Sequence, residues 1–119
     1  MTKKELQYTL TMDAYLLRKG VRNAAYIYNM TDSNIEHICR FCKENNDIKF
    51  IIDPLDSQKV WLYKNEFVSV VIDSMYRMDY DAAQVMMGLL LGYSPNQEDI
   101  WLKYVREHKA DYDYHSWGN

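Results

Sequence analysis

This 119-residue chain is poor in the residues that mark specialised architectures: it has four Gly, two Pro and two Cys. Two cysteines, Cys39 and Cys42, exclude a disulfide framework of the secreted kind. No stretch is rich in Gly, Pro or Ser and no segment repeats, so neither a linker nor a repeat array divides the sequence. Apolar runs stay well short of the roughly 18 residues of a membrane span, and the beginning Met-Thr-Lys-Lys-Glu has no signal-peptide layout. A cytoplasmic protein is expected. A Gly-rich phosphate loop, a nucleophile elbow and a zincin helix are all missing, so no familiar catalytic constellation is present and a non-enzyme is expected. The net charge of −3 is too mild for a general nucleic-acid binder.

What is present is a composition of 48% hydrophobic and 26% charged residues, that of one soluble domain with a core rather than a disordered or fibrous chain. Aromatic side chains are in surplus, with 11 Tyr and 3 Trp. Charge is unevenly spread. Residues 1–64 hold 10 basic and 8 acidic groups (+2), and residues 65–119 hold 4 basic and 9 acidic (−5).

Hydrophobic spacing predicts an α+β fold. Ile35, Ile38, Cys39 and Cys42 recur at i, i+3, i+4 and i+7, which predicts a helix over 35–45 with Ser33 and Glu36 as its capping box. Residues 48–52 and 60–63 are β-branched and aromatic and read as a hairpin with a loop of about seven residues. Residues 24–28 read as a further strand, and the intervening helix makes a β-α-β crossover. In the first twenty residues, alternation of Leu6, Tyr8, Leu10 and Met12 competes with the helical steps Leu6, Leu10, Ala14 and Leu17. A helix over 12–19, ended by Gly20, is expected there.

A helical stripe of Val68, Val71, Ile72 and Met75 continues to Met78. After Asp79 and Asp81 comes a central helix, apolar on nearly every side, closed by Gly92; Gly88 inside it implies a close backbone neighbour. Ser94-Pro95-Asn96-Gln97 opens a last helix to about His108. The expected architecture is thus a small three-stranded sheet with a β-α-β crossover and a hairpin, followed by a cluster of three helices. The domain spans 1–109, with an acidic aromatic tail over 110–119 that has no regular period.

Chemistry-bearing motifs are few. Cys39 and Cys42 form a C-x-x-C near His37, but they lie inside a helix and on its apolar stripe, where ordinary core packing is expected instead of redox or zinc chemistry. His108, Asp111, Asp113 and His115 match no standard ligand spacing, so no metal is expected. The stretch from Asp53 to Lys59 reads as a loop with turn-forming aspartates. Asn29 sits in a formal N-glycosylation triplet and reads as the end of a strand. Arg18, Lys19 and Arg22 cluster around Gly20 as a candidate anion site.

Tyr8, Tyr15, Tyr26, Tyr28, Trp61, Tyr63, Tyr76 and Trp101 are expected to line the core with their polar tips outward. Tyr112, Tyr114 and Trp117, interleaved with Asp111 and Asp113, read as a partner-binding or self-associating segment. The function expected from these features is a small protein-binding or inhibitor protein, encoded by a phage or mobile element and acting on a host defence or regulatory protein. A nucleotide or metabolite binder, with no resident cofactor, is the alternative, and a nucleic-acid-binding accessory protein is the third.

Overall fold

The computed structural model describes residues 1–92 together with Lys103 and Glu107. Its elements, in chain order, are α1 (Lys3–Arg18), β1 (Ala24–Ile27), α2 (Asp32–Glu44), β2 (Lys49–Ile52), β3 (Val60–Tyr63), α3 (Glu66–Met75) and α4 (Tyr80–Leu90). The sheet order is β1-β3-β2, and β3 runs antiparallel to both neighbours. Strands β1 and β2 are therefore parallel to each other, joined by α2 as the crossover, with β3 inserted between them. The hairpin loop spans 53–59, the seven residues expected. The cluster of helices after the sheet is seen in α3 and α4, while the helix expected from Ser94 and the tail over 110–119 lie outside the described residues.

Burial on both sides of the sheet makes three layers. Val60 and Leu62 of β3 pack with Ala25, Ile27 and the inner residues of α1 and α2. Trp61 and Tyr63 point the other way, into a second cluster with Val68, Ile72, Met75, Ala83 and Met87 of α3 and α4. Alternate residues of a strand face opposite sides, so a central strand covered twice must be apolar throughout. That is why Val-Trp-Leu-Tyr occupies the middle.

Helix α1 is longer than expected. A capping box at Thr2 and Glu5 starts it at Lys3, and Leu6, Leu10, Ala14 and Leu17 form its buried stripe. The alternating strand pattern fails because Tyr8 and Met12 are exposed. Its end is a Schellman turn: Val21 N–H donates to Leu16 C=O, Gly20 N–H donates to Leu17 C=O, and Gly20 adopts φ +72°.

Helix α2 also starts differently. Its cap is Thr31, paired reciprocally with Asn34, and Ser33 already lies within the first turn. Thr31→Ala is expected to cost about 1 kcal/mol and Ser33→Ala under about 0.5 kcal/mol, as measured by urea unfolding. Equal costs would move the cap back to Ser33.

Helix α3 ends at Met75 rather than Met78. Gly88 is buried within α4, and a close backbone approach is seen at Gly92, just beyond the helix. There φ is +84° and a Cβ would stand 2.8 Å from the Val21 carbonyl oxygen. A further bond from Asn23 N–H to Leu90 C=O ties the end of α4 to the entrance of β1.

Candidate functional site

Three features of the described residues bear on function: a buried carboxylate junction, a groove beside β1, and the outer face of α1.

The junction is centred on Asp53, the residue after β2. Turn chemistry occupies one of its oxygens: Oδ1 accepts from Leu55 N–H at 2.8 Å. Asp56 does the same for Gln58 N–H, so the expected loop of turn-forming aspartates is observed. The Oδ2 atom accepts from two phenols, Tyr26 of β1 and Tyr76 at the end of α3, each at 2.5 Å.

Tyr26 reaches Asp53 by lying across β3. Its ring stacks on Trp61, with centroids 4.2 Å apart, and Trp61 Nε1–H points at the Tyr76 hydroxyl from 3.4 Å. Burial first, and then the Asp53 carboxylate, pushes both phenols well above the usual tyrosine range, so both remain donors. Three donors thus converge on a 5%-exposed carboxylate. The junction pins the hairpin loop to the α3/α4 layer.

The groove lies between α1 and β1 and has a volume of about 440 Å³. Thr9 and Asp13 border it from α1, and Arg22, Tyr26, Tyr28 and Asn29 from the β1 segment. Asn29 follows β1 in a left-handed conformation, φ 58°. Arg22 Nη1 stands 3.8 Å from Asp13 Oδ1. Burial raises the Asp13 carboxyl above its ordinary value, an effect that the nearby Arg22 charge only partly offsets. The buried Nε of Arg22 has no hydrogen-bond partner among the described residues.

The three cations around Gly20 thus have separate neighbours. Arg18 forks onto Asp47, with Nε and Nη2 both at 2.8 Å, and reaches Asn45 as well. Lys19 lies over the Tyr15 ring at 5.6 Å, and Arg22 faces Asp13. Of the anion-site candidates, Arg22 borders the groove.

The aromatic surplus divides differently from the sequence expectation. Trp61, Tyr63, Tyr26 and Tyr76 do pack into the α3/α4 layer. Tyr8, Tyr15 and Tyr28 do not: they are 68%, 55% and 52% exposed. Tyr8, Met12 and Tyr15 fall at i, i+4 and i+7, so they form one line along α1 opposite its buried stripe. A helix begun at Lys3 implies this line, and the Thr2-x-x-Glu5 signature that begins it was legible in the sequence. The tail candidates Asp111, Tyr112, Asp113, Tyr114 and Trp117, like Trp101, His108 and His115, lie outside the described residues.

Cys39 and Cys42 are half-buried on α2. Burial pushes the Cys42 thiol up to about 11, the wrong direction for a nucleophile. Among the described residues no cluster of three or more metal-ligating side chains occurs, and no helix is long and apolar enough to cross a membrane. Comparison with known protein families, curated proteins and solved structures finds no match for the chain.

Proposed function

We propose that this chain is a binding protein that acts through protein contacts, with the outer face of α1 as its docking surface. The observation that carries the reading is the exposed line of Tyr8, Met12 and Tyr15 on a helix whose opposite side is fully buried. Tyrosine and methionine are residues that gain most from desolvation at an interface while remaining tolerable in water. Exposed lysines stand at both ends of the line, Lys4 and Lys19, the latter over Tyr15. The matching partner is a protein surface with an apolar centre rimmed by acidic side chains.

Site-specific photocrosslinking in cells tests this. A crosslinker at position 8 or 15 is expected to give one discrete adduct with another protein, whereas one at exposed Lys64, in the turn after β3, gives none. The adduct is expected to weaken about tenfold in the double variant Lys4→Glu/Lys19→Glu. An adduct insensitive to these charges, one with a second copy of the chain only, or none at all would overturn the proposal.

A further inference from the structure

We propose that the free edge of β2 is a self-association site. There β2 of a second copy adds in antiparallel register centred on Ile51, and the two three-stranded sheets become one continuous sheet. This surface is separate from the docking face on α1, and neither reading depends on the other.

The order β1-β3-β2 leaves β1 and β2 as the two edges, and they are not equivalent. Ala24, Ala25 and Ile27 of β1 are buried, and α1 flanks that strand across the groove. Every residue of β2 is at least partly exposed, and Ile52 reaches 41%. Natural sheets blunt an open edge with a proline, a bulge or a charge. The pairing of β2 with β3 is unbroken, and the one charge within β2 is Lys49, which Glu66 already engages. Phe50, Ile51 and Ile52 thus stand as an unguarded apolar run.

Hydrogen bonding shows which backbone groups lie open. Asp53 N–H donates to Lys59 C=O at 2.8 Å, which continues the register of Ile51 with Trp61 and Lys49 with Tyr63. Antiparallel pairs alternate between bonded and non-bonded, so residues 49, 51 and 53 turn their N–H and C=O toward β3. Those of Phe50 and Ile52 turn outward, and no described residue bonds to them. Outward donors and acceptors flanked by apolar side chains are a template for strand addition.

The strand itself specifies its occupant. Lys49-Phe50-Ile51-Ile52-Asp53 carries a cation at one end, an anion at the other and an apolar centre. Turned antiparallel on itself about Ile51, it sets Lys49 opposite Asp53, Phe50 opposite Ile52, and Ile51 opposite its own copy. The outward groups of Phe50 and Ile52 then meet and exchange both backbone bonds, in an isologous two-fold contact. A shift of one residue opposes outward groups to inward ones and makes no bonds. A shift of two sets Lys49 or Asp53 against Ile51. This charge order selects a second copy over a strand of unrelated sequence.

Amide hydrogen exchange on the full chain, followed by NMR from micromolar to millimolar protein, tests the proposal. The Phe50 and Ile52 amides are expected to exchange fast in dilute protein and at least tenfold more slowly in concentrated protein, in step with a dimer seen by sedimentation velocity. The Ile51 amide, bonded to β3, is expected to be protected throughout. Ile52→Pro removes an outward N–H and spares the bonds to β3, so it should weaken dimerisation at least tenfold with an unchanged circular dichroism spectrum. If that variant fails to fold, Ile52→Lys places a guarding charge at the same exposed position and is expected to have the same effect. A chain that stays monomeric at millimolar concentration, a dimer whose Phe50 and Ile52 amides remain fast, a dimer indifferent to both variants, or protection of these amides only by a different protein would overturn the proposal.

Discussion

Trp61→Ala is expected to cost roughly 3–5 kcal/mol of folding stability, enough to leave a domain of ordinary stability partly unfolded at room temperature. Trp61 is fully buried on the central strand, so the cavity left behind has no surface loop that can close it. Two further interactions go with the side chain. Tyr26 would lose the ring on which it stacks, and the Tyr76 hydroxyl would lose the indole N–H that approaches it. Trp61→Phe keeps most of the stacking surface and removes the N–H, and is expected to cost about half as much. Urea unfolding followed by far-ultraviolet circular dichroism gives both values. A loss below about 1 kcal/mol for the alanine variant would mean that the α3/α4 layer does not depend on this residue.

Asp53→Ala is expected to cost roughly 2–4 kcal/mol, because three donors then lose one acceptor in a place that water does not freely reach. The groups left behind are the Tyr26 and Tyr76 hydroxyls and the Leu55 N–H. Removing the donors along with the acceptor should restore much of the loss. The triple variant Asp53→Leu/Tyr26→Phe/Tyr76→Phe is accordingly expected to be more stable than Asp53→Ala alone, the signature of an interacting network. Strict additivity of the three changes would show that the phenols and the carboxylate do not act as a unit.

The fold was largely legible because its signals are local. The β2-β3 hairpin, the crossover helix and the all-apolar character of Val60 to Tyr63 each follow from residues within a few positions of one another. The start of α2 shows the limit of such reasoning. Ser33/Glu36 and Thr31/Asn34 are both plausible reciprocal pairs, and the choice is made by Asn34, which is buried while Glu36 is exposed. At α1 the two periodicities competed because both place Leu6 and Leu10 inside, and what separates them is the burial of Ala14 and Leu17 against the exposure of Tyr8 and Met12.

The Asp53 junction was half legible. Its turn bond to Leu55 is a two-residue event that composition announces. The bonds from Tyr26 and Tyr76 span 27 and 23 residues, and no spacing rule predicts which phenol meets which acid across a sheet. The same holds for Arg18 and Arg22. Four residues apart and chemically identical, they differ because one meets Asp47 from the α2–β2 turn and the other only the flank of Asp13.

The strand order β1-β3-β2 carries a consequence for assembly of the chain. The middle strand is the last of the three to be synthesised, so β1 and β2 have no partner in the sheet until residues 60–63 have emerged. The hairpin is expected to close first, over a seven-residue loop, because its ends are near in sequence. Strand β1, linked to α1 by a Schellman turn and a short connection, takes the far side of β3. Completion of the sheet thus depends on four residues, and Trp61, which pairs with both edge strands, is one of them.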